Sequence, residues 1–241
     1  MDRFFVRYYC IALLFLGFGI VAFSAGPTAE HPFPMTPGTY WTYHGTVRWT
    51  SDTNRANETK LTWRMEIRRF LQHGNISAAV ISGFPSDLNW SDGHPEPSDS
   101  LLVESGSKFY FISGERTREA LERLEQPSDG LDGLLNDDDL ILVWPLTQGQ
   151  KYCDADGMAR PDHFYCWVVS SFRRKWSSGV VGVEQGDHDE FVLEYWTNPD
   201  NVQFAFVPGV GVTKYAYHHH GTVADTELQL VEFHLFLGDH K

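Results

Sequence analysis

Apolar and polar side chains alternate from Thr39 to Thr50. Trp41, Tyr43, Val47 and Trp49 fall on one face with Gly45 between them, and Tyr40, Thr42, His44, Thr46 and Arg48 fall on the other. Lys60 to Arg68 repeats the pattern, with Leu61, Trp63, Met65 and Ile67 set against Lys60, Thr62, Arg64, Glu66 and Arg68. A period of two is that of a strand with one dry and one wet face. The polar stretch 51–58 between them, with Asp52 and Asn54 as turn formers, predicts a hairpin. Ile76–Gly83 reads as a third strand, 85–100 as a loop of Pro, Ser, Asp, Gly and Asn, and Leu101–Val103 with Lys108–Ser113 as a second hairpin. Arg116–Glu125 is the one helix, with Ala120, Leu121 and Leu124 on one side, a Glu119–Arg123 pair one turn apart, and Pro127 to end it. The apolar run from Asp139 to Pro145 predicts a strand buried on both faces. Further strands are expected at Phe164–Phe172, Gly179–Glu184, Glu190–Thr197, Val202–Val207, Val212–His218 and Thr222–Leu237, the last broken by a bulge.

Strands follow one another through short turns, and no strand–helix–strand alternation occurs. This predicts an antiparallel meander of about ten or eleven strands, which must curl or split into layers. The expected fold is mainly β: a single curved antiparallel sheet, half-barrel or barrel, with one short helix. A two-layer sandwich is the alternative.

The N-terminus changes the compartment. Arg3 and Arg7 precede an uncharged apolar run, Tyr8–Phe23, and Ala22-Phe23-Ser24 places small residues for cleavage after Ser24. The run is shorter than the roughly 20 residues of a spanning helix, and Pro27, Pro32, Pro34 and Pro37 follow it. The chain therefore divides into a signal peptide, 1–24, an extended lead-in, 25–38, and one β-rich domain, 39–241. An exported protein, periplasmic or extracellular, with no transmembrane span after cleavage is expected. Cys10 leaves with the leader, and Cys153 and Cys166 remain as an even pair. Turn formers between them suit a hairpin that brings the thiols together, and a disulfide is expected.

Charge excludes one class of partner. The chain carries −13; the leader holds two arginines against one aspartate, so the mature chain carries −14. Such a chain repels phosphate backbones, and no nucleic-acid motif accompanies its short basic clusters.

Pro37-Gly38-Thr39-Tyr40-Trp41-Thr42-Tyr43, a Pro/Gly turn running into a Trp-x-Tyr strand, resembles a recurring opening of bacterial exported β-rich proteins of uncharacterised function. Pro208-Gly209-Val210-Gly211-Val212-Thr213-Lys214-Tyr215 resembles the Gly-rich turn and strand near their ends. The resemblance implies a curved antiparallel sheet similar to the periplasmic lipoprotein-carrier half-barrels. It carries no catalytic residue across, and the chain lacks the lipoprotein cysteine of many members.

No Gly-x-Ser-x-Gly elbow and no phosphate-cradling loop is present, and no catalytic residue and no cofactor is assigned. Metal candidates are His218 and His220 on one face of a strand, together with Asp187, His188 and Asp189, should the two clusters meet. Asp129–Gly133 with Asn136–Asp139 has oxygen donors but not the EF-hand order. Asn57-Glu58-Thr59, Asn75-Ile76-Ser77 and Asn89-Trp90-Ser91 are glycosylation acceptors where the host glycosylates. An exported protein without an evident catalytic site, binding an apolar small molecule or an envelope protein, is the first functional expectation. Trp41, Tyr43, Trp63 and Met65 are its candidate ligand face. A metal-dependent hydrolase using the His218–His220 strand and a carbohydrate-binding sandwich are the alternatives.

Overall fold

A computed structural model describes residues 31–237 apart from 52, 54, 92, 93, 177, 178 and 222. The expected signal peptide and most of the lead-in lie outside the described residues.

Twelve strands form one antiparallel sheet that is nearly closed into a barrel. In chain order they are β1 (Tyr40–Thr50), β2 (Ala56–His73), β3 (Ile76–Ser82), β4 (Asp99–Ser105), β5 (Lys108–Ile112), β6 (Leu140–Val143), β7 (Lys151–Tyr152), β8 (Trp167–Trp176), β9 (His188–Trp196), β10 (Asp200–Val207), β11 (Gly211–His219) and β12 (Ala224–His234). Their order across the sheet is β6-β5-β4-β3-β2-β1-β12-β11-β10-β9-β8-β7. Two consecutive meanders thus join where the first and last strands pair. The open seam falls between β6 and β7. There Tyr152 donates its hydroxyl to the Ile141 carbonyl at 2.7 Å, and Gln150 Nε2 reaches the Val143 carbonyl at 3.4 Å.

The expected mainly β, single curved sheet is the fold observed, and the dry positions of β1 and β2 point into its core. Trp41, Tyr43, Val47, Trp63, Met65 and Ile67 are all buried. The expected bulge in the last strand is also present: Thr42 faces Glu232 but Tyr43 faces Leu230, so Val231 is the extra residue. Strand β2 is longer than expected. A second irregularity between Ile67 and Arg69 breaks its alternation, after which Arg69–His73 pair with β3.

Two expectations need correction. The run before Pro145 is a four-residue edge strand, β6, half-exposed at Ile141 and Val143, because no strand pairs with its outer side. Gly179–Glu184 is a strap, not a strand. Val181 alone bridges β12, donating to the Val231 carbonyl at 3.0 Å and accepting from Phe233 N–H at 2.8 Å. It takes the edge that β11 leaves vacant, since pairing of β11 with β12 ends at Lys214–Gln229. Gly182 permits this approach: its φ is +83°, and a Cβ there would lie 1.8 Å from the Phe233 carbonyl oxygen.

The cysteine expectation holds: Cys153 and Cys166 are bridged, with an S–S distance of 2.06 Å, at the loop end of the hairpin in which β7 and β8 pair antiparallel. The loop contains a one-turn helix at Ala155–Ala159, capped by Asp154 accepting from Gly157 N–H at 2.7 Å. A cap supplied by a side chain satisfies a helix-end amide that a turn would otherwise leave to solvent. The bridge closes this loop beside the two-residue β7. Replacing both cysteines by alanine is expected to lower the unfolding free energy by roughly 3 kcal/mol in the chain-entropy picture. Urea denaturation with and without the bridge measures this, and an unchanged midpoint would show that the loop is held by other contacts.

The expected helix forms at Arg116–Leu124, with Ala120 and Leu124 buried. Its Arg123 does not pair with Glu119. It forks onto Asp129, at 3.0 and 2.9 Å, while Leu131 N–H donates to the same carboxylate at 2.7 Å. Asp139 is likewise taken by Arg116, at 2.6 and 2.8 Å. Asp129 and Asp139 therefore spend their oxygens on arginines. The Arg123 hydrogen bonds, first, and the Leu131 amide, second, hold the Asp129 carboxyl at about 2. An unfolded aspartate titrates near about 3.9. Because the folded value is the lower one, the contribution of Asp129 is complete above about 4 and is lost as pH falls toward about 2. An Asp129→Asn variant is expected to show a shallower loss of stability over that interval than the parent, in acid titrations followed by circular dichroism.

Candidate functional site

The loop between β3 and β4 crosses the interior face of the sheet and is pinned at successive points. Trp63 Nε1 donates to the Gly83 carbonyl at 2.7 Å. Asp87 accepts from Ser98 N–H at 2.8 Å and from Ser98 Oγ at 2.6 Å, closing the loop on itself. Leu88, fully buried, accepts at its carbonyl from Thr226 Oγ1 at 3.1 Å. The Asn89 side chain accepts from the Tyr215 hydroxyl at 3.0 Å. Burial is the largest influence on Asp87 and raises its carboxyl above the ordinary value, the Ser98 bonds opposing it.

This clasped loop presents Trp90, which is 57% exposed and has φ of +60°. A bulky residue in the left-handed region is a backbone outlier of the kind that collects at binding sites. The Trp90 ring lies 4.1 Å from the His219 ring, tilted by 59°, and 6.1 Å from that of Tyr217. Beneath it, Asp200 Oδ1 accepts from the Tyr217 hydroxyl at 2.8 Å and lies 2.8 Å from His219 Nδ1. Asp200 opens β10, and Tyr217 and His219 end β11, where Asp200 pairs with His219. The strand ends therefore bring an aromatic pair, a carboxylate and an imidazole to one edge of the sheet. Burial first, and then the Asp200 carboxylate, push the Tyr217 hydroxyl well above its ordinary value. It stays protonated and donates; it is not a base.

Of the residues singled out from the sequence, His218 lies on the opposite face from His219. Its Nδ1 is 3.0 Å from Asp225 Oδ1, and Arg48 donates to the other oxygen of that carboxylate at 2.6 Å. His220 lies beyond the strand, its backbone N–H bonded to the Pro199 carbonyl at 2.9 Å. His188 sits at the far end of β9, its Nε2 2.9 Å from the Glu184 carbonyl, Asp189 beside it is exposed, and Asp187 pairs with Lys175 at 3.5 Å. His219 is level with the residue after Trp196 by register, so roughly 30 Å of strand separates the two clusters at ~3.3 Å per residue. The structure does not bring them together. No group of three His, Cys, Asp or Glu side chains that could hold a metal occurs among the described residues.

Trp41, Tyr43, Trp63 and Met65 are 0 to 6% exposed. Trp41 Nε1 donates to the Val210 carbonyl at 2.6 Å, just before β11, and Tyr43 to the Val212 carbonyl at 2.9 Å, where β11 has left β12. These side chains hold the core together. The apolar cavity inside the barrel, lined by residues such as Phe33, Phe84, Phe109, Phe204 and Phe206, has about 10 Å³ of usable space. That is scarcely the room of one water molecule.

The site residues that pattern reading missed are Trp90, Asp200, Tyr217 and His219. Asn89-Trp90-Ser91 stands out in the sequence only as a glycosylation acceptor; a tryptophan inside a Pro-, Ser- and Asp-rich loop is the signal that could have found the site.

The site belongs to a nearly closed antiparallel sheet. No family profile matches the chain, and no curated protein matches it. Similar solved structures include the following two. One, from Bacteroides fragilis, is of a protein assigned as exported with a YmcC-like fold; the TM-score is 0.40 at 10% identity, over 85% of this chain and 99% of that one. The other, from Parabacteroides distasonis, is of a protein assigned as a lipoprotein; the TM-score is 0.35 at 8% identity, over 85% of this chain and 98% of that one. No helix among the described residues is long and apolar enough to cross a membrane.

Proposed function

We propose that the chain is an exported, non-catalytic binding protein that engages a saccharide ring at the Trp90 edge. Export rests on the basic, apolar and small-residue order of residues 1–24 and agrees with the Cys153–Cys166 bridge. The filled core turns the reading away from an apolar ligand held inside and toward a ligand held at the surface. The observation that carries the reading is the strained, exposed indole fixed over polar groups. A sugar ring presents C–H groups that pack on an indole face and hydroxyls that need acceptors and donors. Asp200, with 31% of its side chain exposed, and His219 supply these beside Trp90.

Oligosaccharide arrays probed with the mature protein and with Trp90→Ala test the reading. The parent is expected to retain a subset of glycans, and the variant to bind them about tenfold more weakly with its unfolding midpoint unchanged. Equal binding by both, or no glycan retained by the parent, overturns it. A protein retained through Trp90 in place of any glycan would assign the same surface to an envelope partner.

A further inference from the structure

A second feature lies on the outer face, away from Trp90. A groove of about 520 Å³ runs across β9, β10, β11, β12 and β1. Its lining includes the small residues Gly45, Ala205 and Ala216, with Glu190, Lys214 and Glu227 around them. The registers explain the layout. Val192, Ala205, Lys214, Gln229 and His44 form one row across five strands, and Gln203, Ala216, Glu227 and Thr46 form the next.

Two observations mark the groove as a ligand site. Glu190 is only 5% exposed; its Oε2 accepts from Arg173 at 2.6 Å, but its Oε1 is buried with no hydrogen-bond partner. A buried acceptor left without a donor is costly, the more so when charged, so it calls for a donor. Lys214 and Glu227 are diagonal neighbours on adjacent strands of the same face, yet neither makes an ion pair among the described residues. On the same sheet Arg48, Arg64 and Arg173 each hold a carboxylate. The groove therefore presents a donor-hungry carboxylate oxygen and an unpaired ammonium. Lys214 is level with Val192, two strands and two residues from Glu190, which sets their Cα atoms about 12 Å apart from the ~4.8 Å strand spacing and ~3.3 Å rise.

We infer that this groove binds a small zwitterion of amino-acid or dipeptide size, its ammonium donating to Glu190 Oε1 and its carboxylate meeting Lys214. The full mature protein titrated calorimetrically with Ala-Ala, N-acetyl-Ala-Ala, Ala-Ala-amide and cadaverine tests this. Ala-Ala is expected to bind, and each capped form to bind at least about tenfold more weakly. Lys214→Met, an exposed position that leaves the fold intact, is expected to lose the discrimination between Ala-Ala and its amide. Glu190→Gln is expected to lose that between Ala-Ala and its N-acetyl form. Absence of Ala-Ala binding, equal binding of the capped forms, or cadaverine binding as tightly as Ala-Ala overturns the inference. Trp90→Ala is expected to leave Ala-Ala binding unchanged, which separates this site from the saccharide reading.

Discussion

Trp41→Ala is expected to lower the unfolding free energy by about 3–5 kcal/mol, the range for deleting a large buried aromatic. Trp41 is fully buried and packs against Phe33 and Phe233, with ring centroids 5.5 and 5.6 Å away. It also does what a strand would otherwise do. From Val210 to Thr213, β11 has no partner on its β12 side, and its carbonyls are met by side chains: Trp41 Nε1 at Val210, Tyr43 at Val212 and Gln229 Nε2 at Thr213, 3.3 Å away. Trp41→Phe separates the two roles. It keeps most of the ring but leaves the Val210 carbonyl without its donor, at a cost of about 1–3 kcal/mol. Urea unfolding of both variants measures the difference. If phenylalanine is as stable as tryptophan, the hydrogen bond contributes nothing and packing alone matters.

Gly45→Ala is expected to destabilise by on the order of 3 kcal/mol or more, because the added methyl meets backbone rather than a movable side chain. Its Cβ would lie 1.9 Å from the Glu227 carbonyl oxygen and 2.7 Å from Leu228 Cδ2. Gly45 sits midway along the β1–β12 pairing, the one place where strand pairing joins the two meanders. Widening that pairing releases both halves at once, so the variant should lose cooperativity as well as stability. Gly186→Ala, with nothing within 4 Å of the added carbon, is the control and is expected to be neutral or slightly stabilising. Thermal scans by calorimetry check both. A Gly45→Ala protein that unfolds at the parent temperature would mean that the strands part here without cost.

Local periodicity reaches as far as the strands it describes. Trp41, Tyr43, Trp63 and Met65 read as the dry face of a hairpin because their alternation is written in adjacent residues, and they are buried as that alternation requires. The same reading could not say whether a dry face is core or ligand wall, because that depends on what comes to lie opposite. Here the opposing surface is filled by the Phe33 segment and by the loop that carries Leu88. Val180–Val183 is apolar enough for a strand, yet it became a strap because the vacancy it fills arises from the divergence of β11 and β12, some thirty to fifty residues further along the chain. The disulfide was legible from the even cysteine pair; the helical turn inside its loop was not, since it rests on the Asp154 cap and on the constraint of the bridge.

The sequence by itself determined an ordered alternation of antiparallel strands, the pairing of Cys153 with Cys166 and a net acidic charge. Each of these depends on side chains a few residues apart or on composition. Only the tertiary structure decided that Trp90, Asp200, Tyr217 and His219 meet at one edge, that His218 and His188 do not, and that Glu190 is left with an oxygen unmet. Those outcomes follow from the registers of β8 to β12 and from the path of the β3–β4 loop, and a slip of one residue would turn the strand residues among them to the other face.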